Sequence, residues 1–257
     1  MSWYPQTSAG TLVQLPLRRR TIWRAITNQF ENGERISLPD RGAGRIEWQL
    51  AYRDLSEAEA GAITNFFHSA RGAFGTFAFA DPCANLLGWS DDLSKDDWQV
   101  GLVGVSAVGA GPGGASAAML ISNASAGMQG VAQTVALPGE YSTCFSVYLR
   151  SASPVNVTLR RGSGFTTVTP SAKWKRYFLT GPAPGQDNAT FSLDVAAGSA
   201  VEVWGFQVEA GPYPSQYRPT EAAAGIYERT SFASDELAMT ATGVDLFACE
   251  FTLISKI

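Results

Sequence analysis

The sequence contains little of what a metalloenzyme, a disulfide-rich protein or a membrane protein requires. Its 257 residues include three cysteines, Cys83, Cys144 and Cys249, and one histidine. The cysteines are odd in number and far apart, so neither a metal-binding pair nor a disulfide framework is predicted. No apolar run approaches the roughly 18 residues of a membrane span, and the N-terminus lacks the apolar segment of a signal peptide. We expect a soluble protein with buried free thiols and no membrane insertion.

Charge is also scarce and evenly divided. The chain has 19 Lys and Arg against 23 Asp and Glu, a formal net charge of -4. No run of basic residues is longer than Arg18–Arg20. A nucleic-acid-binding protein normally carries a basic face, so no nucleic-acid partner is predicted.

Catalytic motifs are missing as well. His68 lies on a predicted helix with no neighbouring partner for general-base or metal chemistry, and is interpreted as a helix-end residue. The glycine-rich segment GAGPGG, residues 109–114, lacks the Lys-Ser/Thr of a phosphate-binding loop and is predicted to form a turn. We expect no catalytic residues and no enzymatic activity.

Four aspartates, Asp91, Asp92, Asp96 and Asp97, are the remaining candidates for chemistry. A glycoside hydrolase needs two carboxyl groups about 5 to 10 Å apart across a sugar. Aspartates grouped in this way before Trp98 are more typical of turns and of the start of a short helix. A structural calcium ion stays open as an alternative, because hard cations bind several loop oxygens. No other cofactor is predicted.

Strands, turns and one helix are predicted for the first 82 residues. RIEWQLAYR alternates apolar with polar or small side chains, as a half-buried antiparallel strand does. Ser56 and Glu59 form a capping box, and apolar residues follow it at helical spacing. Proline at 82 ends the last strand. The predicted elements are a strand over 45–53, a helix over 57–69 and a strand over 74–79.

The composition changes between about residues 83 and 219, where Gly, Ala, Ser, Thr and Val dominate. Short alternating runs recur between turn residues at the spacing of an all-β sandwich, and a jelly roll is the predicted architecture. The predicted strands cover 131–135, 143–150, 155–161, 175–180, 190–195 and 202–209.

The composition of the first segment returns after residue 219. Its strands are too short to bury a core alone, so they need the sheet interrupted at Pro82. We therefore predict a mainly β protein with a discontinuous base domain, residues 1–82 and 220–257, and an inserted β-sandwich, residues 83–219. The base is expected to be a β-sandwich or split barrel with one helix. Its open edge and a flexible arm, residues 1–14, are expected to mediate self-association.

The segment RIEWQLAYRDLSEAEAGAITNFFHSARGAFGTFAFADP, residues 45–82, resembles the core of siphophage distal or minor tail proteins. The resemblance extends over about residues 15–82 and the strands that begin at IYERTSF. It implies a structural protein of the virion tail tip, made in the cytoplasm of the bacterial host. It also implies a hexameric ring whose partners are the tail tube protein and the baseplate hub protein.

A second resemblance lies in the insert. NLLGWSDDLSKDDWQV and VWGFQVEAGPYPSQYRPTEAA are similar to the two borders of a carbohydrate-binding-module-like jelly roll found in phage tail and baseplate proteins. YSTCFSVYLRS and SAKWKRYFLT match its inner strands. The resemblance implies that the insert contacts host-surface glycans.

Aromatic side chains and arginines supply the candidate glycan site. Alternation over residues 143–150 places Phe145, Val147 and Leu149 on one face and leaves Tyr148 and Arg150 on the other. Trp89, Trp98 and Trp204 belong to the border motifs and are interpreted as structural. The predicted carbohydrate-binding residues are Tyr148, Arg150, Arg160 and Trp174. For the arginines, a solvated sheet face is the alternative.

Two other classes of protein fit the sequence, a polysaccharide depolymerase subunit and a free-standing lectin. A depolymerase would cleave capsule or lipopolysaccharide. A lectin would stay monomeric at concentrations where a ring protein assembles.

Overall fold

The computed structural model describes residues 2–40, 42–115, 117–185, 188–222 and 224–257. Met1 of the predicted arm and Ala223 of the second border motif lie outside these ranges. The chain divides into two compact units, unit 1 (Met1–Phe79 with Ile226–Ile257) and unit 2 (Ala80–Gly225).

The elements are numbered in chain order. The first are β1 Arg18–Ile22, β2 Ala25–Gln29, β3 Arg35–Pro39, β4 Arg45–Leu55, α1 Glu57–Ala70 and β5 Phe77–Ala80. They are followed by β6 Gln99–Val100, β7 Gly104–Ala110, β8 Ala117–Asn123, β9 Gln129–Val135 and β10 Thr143–Arg150. Then come β11 Val157–Arg161, β12 Gly164–Val168, β13 Lys175–Gly181, β14 Ala189–Val195 and β15 Ser199–Glu209. The last are β16 Ile226–Phe232, β17 Met239–Gly243 and β18 Leu246–Lys256.

Unit 1 is built on one six-stranded sheet. Its strand order is β1-β4-β18-β16-β5, and β17 pairs with the other end of β18. The long central pair, β4 and β18, is antiparallel, so the C-terminal strands complete a sheet begun by the N-terminal segment. The sequence suggested a sandwich or split barrel here, whereas the described residues place a helix against β4 and β18 as the second layer.

Helix α1 begins and ends where local chemistry dictates. The Ser56 side chain accepts from the Glu59 amide while the Glu59 carboxylate accepts from the Ser56 amide, which confirms the capping box. Ile63 and Phe67, one turn apart, are buried. Arg71 ends the helix in the left-handed conformation, φ 55°. The strand expected over 74–79 starts only at Phe77, because the turn after the helix closes through Gly75 N–H to Ala70 O, 2.8 Å.

The core of unit 1 is aromatic and draws on both chain segments. Phe232 of β16 lies 4.9 Å from Phe67, 5.3 Å from Phe77 and 5.3 Å from Phe251, between ring centroids. Phe232 is 1% exposed. The segment after residue 225 therefore shares one core with the segment before residue 80.

The expected flexible arm is ordered over residues 2–14, and that prediction is wrong for them. Tyr4 is buried and its hydroxyl lies 2.8 Å from that of Tyr52. The Tyr52 hydroxyl also donates to Leu12 O, 2.6 Å. The Tyr4 amide donates to Ala78 O, 3.0 Å. Tyr4, Leu12 and Val13 are buried, and burial of these apolar side chains holds the arm in place.

Strands β2 and β3 form a separate two-stranded hairpin. Ile26 pairs with Leu38 and Asn28 with Ile36, so these side chains share one face. Ile26, Ile36 and Leu38 are 52%, 49% and 56% exposed. We call this set, together with Phe30 at 49%, the hairpin face.

Unit 2 is a jelly roll of two five-stranded sheets, which confirms the predicted architecture. The strand orders are β13-β10-β15-β8-β7 (the first sheet) and β12-β11-β14-β9-β6 (the second sheet). The neighbouring strands within both sheets pair antiparallel. Apart from the hairpins β7–β8 and β11–β12, consecutive strands alternate between the two sheets, as in a jelly roll. Phe145 and Phe191, one from each sheet, meet at 5.6 Å in the core.

Several strands of unit 2 escaped sequence analysis. Strands β7, β8 and β12 are rich in Gly, Ala, Ser and Thr and lack a clear apolar alternation. They are fixed by hydrogen bonds to their neighbours: β7 pairs with β8, β8 with β15, and β12 with β11. The three cysteines are free, with Cys144 and Cys249 buried and Cys83 half-buried.

Candidate functional site

The candidate site lies on the outward face of the first sheet. In β10, Phe145, Val147 and Leu149 are buried, whereas Tyr148 and Arg150 are half-buried. The period of two in a strand sends the first three into the sandwich and the other two away from it.

Arg150 is held between a carboxylate and an indole ring. Its Nε and Nη2 lie 2.8 and 2.6 Å from the same oxygen of Glu202, Oε2, on the neighbouring strand β15. Its guanidinium carbon lies 4.7 Å from the ring centroid of Trp174, within the range of a cation–π contact. Trp174, Arg150 and Glu202 thus form a row across the sheet.

A second row consists of aromatic rings. Tyr148 lies edge-on to Trp204 at 5.4 Å between centroids, and Trp204 lies 4.5 Å from Tyr217. Trp204 also lies so close to Gly111 that a Cβ there would be 2.7 Å from its Cδ1. The ring is therefore fixed from three sides.

Arg176 of β13 covers Tyr148 from the other side, with its guanidinium carbon 5.4 Å from the ring centroid. Arg176 Nη2 donates to Ser146 Oγ, 2.8 Å, and lies 3.8 Å from the buried carboxylate of Glu209. Glu209 also accepts from the Ser215 amide, 2.9 Å. These contacts make the surface around Tyr148 rigid.

Phe178 is a member of this face that sequence analysis missed. It is 48% exposed and pairs with Ser146 across the β10–β13 ladder, in line with Arg176. The alternation over 175–180 could have indicated it, since Arg176 and Phe178 are two residues apart.

The structure does not bring Arg160 together with the other three predicted residues. Arg160 belongs to β11 in the second sheet, and its neighbours Leu159 and Arg161 are buried. Its Nε donates to Asp194, 2.6 Å, and its guanidinium carbon lies 5.1 Å from the Phe165 ring. Sequence periodicity gives the outward direction of a side chain but not the sheet to which its strand belongs.

Two of the four candidate aspartates, Asp91 and Asp92, accept hydrogen bonds from hydroxyl groups. Asp91 accepts from the Tyr217 hydroxyl, 2.6 Å, and burial raises its pKa. Asp92 accepts from the Ser94 side chain, 2.6 Å, which with the Ser94 amide lowers the pKa of Asp92. Over the residues that the structure describes, no group of three or more His, Cys, Asp or Glu is placed to hold a metal ion. His68 is exposed on α1.

No protein-family model matches the chain, and the search of curated proteins gave no match. Solved structures share some similarity with it. The enzymatically active domain of tailspike protein 4 from bacteriophage CBA120 has a TM-score of 0.41 and 13% identity, over 52% of this chain and 22% of that chain. The chain therefore covers only about a fifth of that protein's length.

Two carbohydrate-binding structures show a similar degree of likeness. A xylan-binding domain of family 22 has a TM-score of 0.41 and 19% identity, over 52% of this chain and 100% of that chain. The C-terminal family 22 module of Clostridium thermocellum Xyn10B has a TM-score of 0.40 and 19% identity, over 52% and 99%. At these TM-scores and identities, none of the three similarities bears on what this chain binds.

Among the described residues, no helix is both long enough and apolar enough to cross a membrane.

Proposed function

We propose that this chain is a structural, non-enzymatic tail-tip protein of a phage or prophage. Unit 1 assembles into a ring between the tail tube protein and the baseplate hub protein, and unit 2 contacts host-surface glycans. The observation that carries the proposal is the outward face of the first sheet, where rigidly held aromatic rings and a guanidinium group lie side by side on a jelly roll. The protein is made in the bacterial host cytoplasm and acts in the virion.

The chemistry of this face suits sugars. Sugar rings present apolar C–H faces and a rim of hydroxyls, so they bind to aromatic rings flanked by a few planar polar groups. Phe178 and Tyr148 supply rings with exposed surface, and Arg150 and Glu202 supply a planar donor and a planar acceptor. Because neighbouring side chains already hold Tyr148, Arg150 and Glu202 in place, binding requires little ordering of these three side chains.

Aromatic truncation in the full chain tests glycan binding. Phe178→Ala and Tyr148→Ala should each weaken binding to a glycan array or to host cells by about threefold or more, because each removes a stacking ring. Phe165→Ala is the matched control, since Phe165 is 61% exposed on the second sheet. Equal binding by all four proteins would contradict the assignment. Release of reducing ends from capsule would instead favour the depolymerase.

The hairpin face supports assembly through unit 1. A two-stranded hairpin is marginal alone, and four half-exposed apolar side chains on one face favour a protein contact. Strand β1 also ends its sheet, with no further strand paired to it among the described residues. We assign both surfaces to contacts with neighbouring copies of this chain. A ring forms through heterologous contacts, which join two different surfaces of the same chain.

Solution mass tests the assembly. Changing both Ile36→Ser and Leu38→Ser should lower the mass measured by light scattering toward that of one chain, because it removes the apolar contact. Val244→Ser is the control, since Val244 is 91% exposed on the β17–β18 turn of unit 1. A monomeric parent at high concentration would favour the lectin alternative. An assembled double variant would place the interface elsewhere.

A further inference from the structure

A cavity of about 450 Å³ opens beside Arg150. The Arg150–Glu202 pair forms one wall, the loop 152–155 another and the turn 198–200 a third, with Leu120 also lining it. Its volume falls in the range of about 300 to 1,000 Å³ that small-molecule sites occupy. None of the predicted site residues except Arg150 lines it.

The polar wall of the cavity has unused hydrogen-bonding capacity. Arg150 directs both Nε and Nη2 at one oxygen of Glu202. Within the described parts of the chain, Arg150 Nη1 and Glu202 Oε1 have no hydrogen-bond partner. A planar donor and a planar acceptor therefore lie next to each other at the cavity.

The rest of the cavity lining consists of apolar side chains and of backbone that is held in place. Leu120, Pro154 and Val155 contribute hydrocarbon surface. The Ser151 hydroxyl donates to Ser153 O, 2.6 Å, which holds the loop. Gly198, at φ 64°, makes the tight turn between β14 and β15 on the opposite side.

We infer that this cavity is a subsite for one neutral pyranose ring with two adjacent free hydroxyls. One hydroxyl donates to Glu202 Oε1, its neighbour accepts from Arg150 Nη1, and the C–H face of the ring packs on Leu120 and Pro154. An acidic sugar is disfavoured, because the guanidinium charge at the cavity is already matched by the Glu202 carboxylate. The inference rests on the proposed function, since it narrows the ligand of the same sandwich.

Amide NMR spectra of the full chain test the subsite with methyl β-D-glucopyranoside, methyl β-D-galactopyranoside and methyl β-D-glucuronide. At least one neutral glycoside at millimolar concentration should shift the amides of Ala152, Gly198 and Ser199, and the glucuronide should not. Ser153→Trp, in the exposed loop, should fill the cavity and abolish the shifts. Ser163→Trp, in the exposed β11–β12 turn of the second sheet, is the matched control and should leave them unchanged.

A second variant probes the acceptor. Glu202→Gln replaces one carboxylate oxygen by an amide donor. It should weaken the binding of the neutral glycoside about tenfold, which is the scale of a lost hydrogen bond to a charged group. Absent cavity shifts with both neutral glycosides, shifts that persist in Ser153→Trp, or equal binding of the glucuronide would each overturn the subsite. Glycan binding that depends on Phe178 without cavity shifts would leave the proposed function standing and remove the subsite alone. Cavity shifts combined with glycan binding that does not depend on Phe178 would leave the subsite standing and remove the proposed function.

Discussion

Phe232→Ala tests whether the two segments of unit 1 fold as one body. Phe232 is 1% exposed and lies within 5.3 Å, between centroids, of rings from α1, β5 and β18. Removing a fully buried phenylalanine costs about 3 to 5 kcal/mol, as lost burial and an unfilled cavity. Since α1 and β5 precede the insert, this loss should spread to sequence far from the substitution.

Hydrogen exchange followed by mass spectrometry measures that spread peptide by peptide. Peptides within 45–79 should lose protection by about two to three and a half orders of magnitude, which is the same 3 to 5 kcal/mol expressed as an exchange factor. Peptides of β10 and β15 should not change. Phe165→Ala is the control, because an exposed site usually costs less than about 0.5 kcal/mol. Unchanged protection over 45–79 would refute the shared core.

Three further predictions concern the insert, the helix cap and the aromatic row. Replacing residues 82–224 by a short Gly/Ser linker should leave a base that unfolds cooperatively, because Asp81 N–H lies 2.8 Å from Gly225 O and the linker has little distance to span; a base without a cooperative urea transition would contradict the discontinuous domain. Hydrogen bonds from Ser8 and Ser56 lower the pKa of Glu59 to about 2 from 4.5, so the stability that they contribute is present above pH 4.5 and lost between pH 4.5 and 2. The parent should therefore lose more stability than Glu59→Gln over that interval in urea titrations, and parallel losses would contradict the assignment. Gly111→Ala should cost about 1 to 3 kcal/mol and weaken glycan binding, because its Cβ would meet Trp204 at 2.7 Å; Gly109→Ala, with nothing within 4 Å of its Cβ, should do neither, and equal melting temperatures for the two variants would refute the contact.

The inserted arrangement itself stays a prediction until such measurements are made. The two compact units meet at 79/80 and 225/226, three and six residues from the expected boundaries at 82/83 and 219/220. Compact grouping and independent folding are different properties, and only the second defines the proposed domains. The predicted carbohydrate-binding role of Tyr148, Arg150, Arg160 and Trp174 is likewise a matter for the binding assays.

Local chemistry was enough to predict much of the secondary structure. The capping box located the start of α1, and alternation located β4 and β10, because backbone periodicity and capping depend on near neighbours in sequence. The same alternation gave the outward direction of Tyr148 and Arg150. The change of composition near residue 83 and its reversal near 220 indicated the jelly roll between them.

Only the tertiary structure decided which of these elements meet. Pairing in the first sheet placed Glu202 beside Arg150 and Phe178 beside Ser146, while Arg160 went to the second sheet. The arm 2–14 is ordered through Tyr4, whose partner Tyr52 is 48 residues away. Sequence periodicity specifies which way a side chain points from its strand. Which strand lies alongside is settled by hydrogen bonds and packing between distant segments, and these leave no local pattern.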